Sequence, residues 1–105
     1  MIQDLTPKEF KDYLVDDEVT LVDVREQWEF DICQISGAIL MPRGEIANSY
    51  VNHNKDNKIA LNCHSGIRSM HVADFLLSQG FQSLANLQGG IEAWTKEIDT
   101  TLERY

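Results

Sequence analysis

A short apolar run, Ile59-Ala60-Leu61, leads through Asn62 into Cys63-His64-Ser65-Gly66-Ile67-Arg68-Ser69, and from Arg68 to Gln79 the apolar residues recur at helical spacing. A run too brief for a helix, a glycine-bearing turn and then an amphipathic helix permit few folds. The arrangement reads as a buried strand joined by a tight loop to a helix, the unit from which α/β sheets are built and beside which they place anion sites.

The loop's chemistry follows from its order of residues. Cys63 stands where the free backbone N–H groups of the oncoming helix point, and the helix dipole adds partial positive charge there. Both effects favour thiolate over thiol, so Cys63 is the candidate nucleophile. Gly66 removes the Cβ that would obstruct inward-pointing amides, and successive inward amides make a concave anion cradle. Arg68 adds a permanent charge at the rim, and the Ser69 hydroxyl can cap the helix or donate to whatever occupies the cradle.

The rest of the chain completes the alternation. Thr6-Pro7-Lys8-Glu9 predicts a helix start, with Thr6 as cap, Pro7 in the first helical position and Glu9 closing a capping box; Phe10, Tyr13 and Leu14 share one face, and the helix runs out at Asp16-Asp17-Glu18. Val19 to Val24 is apolar on both faces, as a buried parallel strand requires, and delivers Asp23 and Arg25 at its C-terminal end, where both are placed to line the Cys63 site or to pair with each other. Glu26 to Phe30 reads as a short helix with Trp28 against the sheet, Ser36-Gly37 as a turn, Ala38 to Met41 as a short strand stopped by Pro42, Arg43 to Val51 as a weaker helix and Asn52 to Lys58 as a solvated turn. The helix after the loop carries a stripe of Met70, Ala73, Leu76 and Leu77 flanked by Val72 and Phe75, which predicts burial on most sides, with Gly80 ending it. Ser83 to Leu87 is the last strand, Gln88-Gly89-Gly90 a sharp turn, and Ile91, Trp94 and Ile98 one face of a final helix; the tail from Asp99 to Tyr105 is polar. The expectation is a single α/β domain over residues 1–105, a parallel sheet of about five strands with helices on both faces.

Composition narrows the function. At 105 residues, 43% hydrophobic and 25% charged, the chain suits one ordinary globular core. The first residues lack a basic and then apolar leader and no run reaches membrane-spanning length, so a cytoplasmic location without membrane association is expected. Cys33 and Cys63 are too few for a disulfide scaffold and form no Cys-x-x-Cys, which fits a reducing compartment and a free thiol. A net charge of −8 argues against nucleic acid as a partner. It also repels a small anion, although screening beyond roughly 8 Å at physiological salt leaves the loop's local field in command.

Three segments carry a resemblance. Leu21-Val22-Asp23-Val24-Arg25-Glu26 with Trp28-Glu29-Phe30, continued by Ile35-Ser36-Gly37-Ala38 and Pro42, is similar to the first block of rhodanese domains; Cys-x-x-Gly-x-Arg-Ser from Cys63 to Ser69 resembles their active-site loop; Leu87-Gln88-Gly89-Gly90-Ile91-Glu92-Ala93-Trp94 resembles their closing motif. Together they span nearly the whole chain. The family commonly has Gly-His before the isoleucine matching Ile35, where this chain has Cys33-Gln34, which bears on local packing or a partner surface. The resemblance implies a sulfurtransferase that carries a persulfide on Cys63, with His64, Ser65, Gly66, Ile67, Arg68 and Ser69 binding the substrate and Asp23 and Arg25 lining or supporting the site. It further implies a small anionic sulfur donor such as thiosulfate, or a persulfide-bearing protein, a thiol or protein as acceptor, cyanide replacing that acceptor in an assay, and no cofactor.

Other readings compete with this one. Protein tyrosine phosphatases and their relatives separate cysteine and arginine by one residue more, so the tighter loop here disfavours a phosphoryl group. Rhodanese folds also serve as docking or regulatory modules, usually without the cysteine. Cys63 as a mere packing thiol fits poorly with its place before a glycine loop and helix, whereas Cys33, beside Ile32 and Ile35, suits packing better than sulfur acceptance. His64 and His71 with Cys63 have the wrong spacing for a zinc site, and no metal is expected.

Overall fold

The computed structural model describes residues 1–50 and 54–105. In chain order its elements are β1 (Ile2–Leu5), α1 (Pro7–Tyr13), β2 (Val19–Asp23), α2 (Gln27–Ile32), β3 (Ile39–Leu40), a 3-10 turn (Arg43–Glu45), α3 (Ile46–Tyr50), β4 (Lys58–Asn62), α4 (Ile67–Ser78), β5 (Ser83–Leu87) and α5 (Gly90–Glu97). The strands form one sheet in the order β1-β5-β4-β2-β3, every pairing parallel.

Alternation along the strands sorts the core into two layers, because successive side chains point to opposite faces. Val22, Ile59, Leu61 and Leu84 face α3 and α4, where Ile46, Tyr50, Val72, Ala73 and Leu76 meet them. Leu21, Ala60, Ala85 and Leu87 face the other way, onto Phe10 of α1 and Ile91 and Trp94 of α5. Phe10, wholly buried, meets Trp94 edge-on with ring centroids 6.2 Å apart. The central strand β4 ends at Asn62, so Cys63 leaves the sheet from the middle of its C-terminal edge, where open α/β sheets bind ligands.

The α1 start follows its sequence signal: the Glu9 N–H donates to Thr6 Oγ1 at 3.3 Å and the Thr6 N–H to Glu9 Oε1 at 2.9 Å. Three expectations change. β1 carries no sequence signal, since Ile2-Gln3-Asp4-Leu5 neither alternates nor forms an apolar run, yet it adds to the sheet edge by pairing Ile2 with Leu84 through Leu5 with Leu87. Trp28 is 60% exposed rather than packed on the sheet, standing edge-on to Tyr105 at 5.7 Å. α4 buries one face only, through Ser69, Val72, Ala73 and Leu76, and leaves Phe75 and Leu77 exposed, because nothing among the described residues packs outside it. The weak helical stretch from Arg43 divides into the 3-10 turn and α3, and Val51, Asn52 and His53 lie outside the described residues.

Candidate active site

Cys63 sits at the centre of a ring of donors. Its Sγ accepts hydrogen bonds from the Gly66 N–H at 3.1 Å, the Ser69 N–H at 3.3 Å and the Ser69 O–H at 3.3 Å. Three donors converging on one sulfur at the first turn of α4 stabilise negative charge there, as charge-assisted hydrogen bonds do. The thiol is wholly buried, so a reagent reaches it only when a neighbouring group moves.

The loop is held from behind by the start of α5. The Ile91 N–H donates to the Cys63 carbonyl at 2.8 Å and the Glu92 N–H to the His64 carbonyl at 3.1 Å. Close backbone approach makes this possible: a Cβ on Gly90, whose φ is +63°, would run into the His64 carbonyl, and one on Gly66, at φ +95°, would lie 3.0 Å from the Leu87 carbonyl oxygen. Asn86 of β5 adds a side-chain tie, its Nδ2 donating to the Gly66 carbonyl at 3.2 Å and to Asp4 Oδ1 at 3.0 Å.

Beside the loop lie two ion pairs joined by a tyrosine. Arg68 forms a two-pronged pair with Glu29, Nη1 to Oε1 and Nη2 to Oε2, both at 2.7 Å. Arg25 grips Asp23 through Nε at 2.9 and 3.0 Å and Nη2 at 2.7 Å, with both side chains wholly buried. The Tyr105 O–H donates to Glu29 Oε2 at 2.6 Å and accepts from Arg25 Nη1 at 3.0 Å. The Arg68 guanidinium, aided by Tyr105 and the Glu26 N–H against burial, holds the Glu29 carboxyl at about 2. Burial and the Glu29 carboxylate push Tyr105 up to about 12. For Arg25 burial opposes the charge, and the Asp23 and Tyr105 contacts outweigh it, so its affinity for the proton rises.

Of the residues read from the sequence, the structure brings Cys63, Gly66 and Ser69 together at one sulfur. The Arg68 guanidinium is bound by Glu29, whose hydrogen bonds outweigh burial and raise its affinity for the proton. Asp23 and Arg25 serve each other and the end of α2, where Arg25 donates to the Cys33 carbonyl at 2.6 Å and the Glu29 carbonyl at 3.3 Å. His64 is half-buried with its ring 4.4 Å from that of Tyr105, and Ser65 and Ile67 are exposed beside an open groove of about 320 Å³ shared with Asp4, His71 and Asn86. Glu29 and Tyr105 went unseen in sequence. Glu29 lies inside the first block of the resemblance, a signal that could have found it, whereas Tyr105 had only an aromatic ring in a polar tail to mark it. Among the described residues no group of three or more His, Cys, Asp or Glu is placed to hold a metal ion, and no helix is long and apolar enough to cross a membrane.

A five-stranded parallel sheet with a cysteine loop at its central strand's C-terminal edge defines a class of α/β proteins built around one thiol. The chain belongs to the Rhodanese-like domain family, which it matches over residues 6–97. Among solved structures it is similar to a rhodanese-like domain protein from Staphylococcus aureus, with 31% identity, a TM-score of 0.80 and 98% of both chains covered, and to a rhodanese-related protein from Thermoplasma volcanium, with 26% identity, a TM-score of 0.79, and 91% and 93% covered. Among curated proteins, tRNA uridine(34) hydroxylases from Staphylococcus carnosus and S. aureus are each 35% identical over 96% and 98% of this chain. The chain spans 34% of the length of either one.

Proposed function

We propose that the protein is a sulfurtransferase working through a persulfide on Cys63. The reading is carried by one observation, the convergence of the Gly66 N–H and both Ser69 donors on Sγ at 3.1 to 3.3 Å. The Cys63 thiolate attacks the outer sulfur of the donor; a new S–S bond forms as the donor's own S–S bond breaks, and its electron pair leaves with the departing group, sulfite from thiosulfate or a thiolate from a persulfide. A thiophilic acceptor, a thiol or protein in the cell or cyanide in an assay, then attacks the terminal sulfur and returns Cys63 to thiolate. This is covalent catalysis in two half-reactions. The loop's donors support the anionic persulfide as oxyanion-hole donors support an oxyanion, where one donor is typically worth about 3–4 kcal/mol.

Steady-state thiocyanate formation from thiosulfate and cyanide should give the parallel double-reciprocal lines of a ping-pong scheme, vanish in Cys63→Ala and persist in Cys33→Ser. Loss in a folded Cys33→Ser would refute the one-thiol scheme.

The curated relatives support a second reading, in which the domain takes part in modifying a tRNA uridine as one portion of a larger assembly. With a net charge of −8, the chain has little means of neutralising phosphates, so in that reading another part of the assembly binds the RNA.

A further inference from the structure

We propose that Glu29 sets the donor class of this site: by holding Arg68 it withholds the loop's cation from free dianions, so that Cys63 draws its sulfur from a persulfide, R–S–SH, rather than from thiosulfate. The proposal rests on the reading that Cys63 accepts sulfur.

The geometry is that of a closed lock. Both Glu29 oxygens are taken by Arg68 at 2.7 Å, Oε1 also accepts from the Glu26 N–H at 3.0 Å, and Oε2 also accepts from the Tyr105 O–H at 2.6 Å. Glu29 is 3% exposed. If Arg68 swung toward an incoming anion, it would leave a buried carboxylate without its cation, a heavily penalised state. The second arginine near the loop, Arg25, is equally committed to Asp23. Both of these guanidiniums are therefore matched by a carboxylate, and Glu92 adds a further negative charge, 3.9 Å from His64. What remains for the donor is the loop's uncharged donors, among them the Gly66 N–H and the two Ser69 donors.

That set favours one donor chemistry over the other. From thiosulfate, Cys63–S⁻ and S–SO₃²⁻ give Cys63–S–S⁻ and SO₃²⁻, bringing a dianion to an anion and releasing a dianion, which needs a cation. From a persulfide, Cys63–S⁻ and R–S–SH give Cys63–S–SH and R–S⁻, with one negative charge throughout. Atoms and charge balance in both, with no external oxidant or reductant. Glu29 is in this account a positioning residue, acting on the donor through Arg68.

The test compares single-turnover sulfur loading of the full chain, followed by intact mass, from thiosulfate and from cysteine persulfide. Wild type should load faster from the persulfide. Glu29→Gln should speed thiosulfate loading about tenfold or more, the worth of one charge-assisted hydrogen bond, with the persulfide rate little changed. Adding Arg68→Met to that variant should abolish the gain, and Tyr105→Phe should shift the donor ratio in the same direction by less. A wild-type preference for thiosulfate, or a ratio unmoved in Glu29→Gln and Tyr105→Phe, overturns the proposal and leaves the sulfurtransferase reading standing. Equal slowing with both donors does the same, since it marks a structural role. Should Glu29→Gln fail to fold, the Tyr105→Phe ratio decides alone. A wild type that gains sulfur from neither donor overturns both.

Discussion

Ser69 supplies two of the three hydrogen bonds to the Cys63 sulfur, one from its backbone and one from its hydroxyl. Ser69→Ala keeps the first and removes the second. A hydrogen bond to a charged group contributes about 1.5–3 kcal/mol, so the rate of Cys63 alkylation by iodoacetamide at neutral pH should fall about tenfold or more, with unfolding by denaturant little altered. An unchanged alkylation rate would mean that the hydroxyl does not hold charge on the sulfur. Glu29 offers a residue-scale test of stability. Its folded carboxyl titrates at about 2 against an ordinary value of 4.5, so its contribution is fully present above pH 4.5 and is lost as pH falls through about 2. A depression of that size corresponds to about 3 kcal/mol, and the stability difference between wild type and Glu29→Gln should shrink by that order across this window. Parallel acid-unfolding profiles would contradict the buried pair. Cys63, Gly66 and Ser69 were legible because a loop's chemistry is local in sequence. Glu29 was not, since its partner Arg68 lies across the fold and only packing joins them.

Between elements, the decisive contact is the start of α5 against the loop after β4. Gly90 reads in the sequence as a turn residue, and its second task, letting two backbones meet at His64, becomes visible only when β4 and β5 lie side by side. Gly90→Ala should displace the loop, loosen the Ile91–Cys63 and Glu92–His64 hydrogen bonds and lower stability by about 2 kcal/mol or more, from left-handed strain and the backbone clash together. Sulfur loading should fall with it, and a variant with wild-type melting temperature and loading rate would sink this account of the turn. The interior strands β2, β4 and β5 were readable because burial on both faces leaves a continuous apolar signature. β1 was not, because an edge strand with two exposed positions owes its place to β5. The expectation for α4 erred through periodicity: apolar residues on its flanks look the same in sequence whether or not another layer covers them.

Across the whole molecule, alternation of strand and helix was enough to read a parallel sheet covered on both faces, and the structure adds the order that puts β4 at its centre. That order places the Cys63 loop between the end of β2, which leads into Arg25, and Asn86 of β5, whose side chain ties down the Gly66 carbonyl. The closing role of Tyr105, tied to Glu29, Arg25 and His64 from the far end of the chain, could not be read beforehand because it depends on where the tail after α5 comes to lie. In the proposed function this assembly carries sulfur on Cys63. The most direct measurement is the intact mass of the reduced protein after exposure to cysteine persulfide or thiosulfate and then to cyanide, beside Cys63→Ala. The protein should gain a single sulfur atom, removed by cyanide and absent from the variant. A protein that gains no sulfur from either donor, or whose Cys63→Ala variant gains as much, would contradict it.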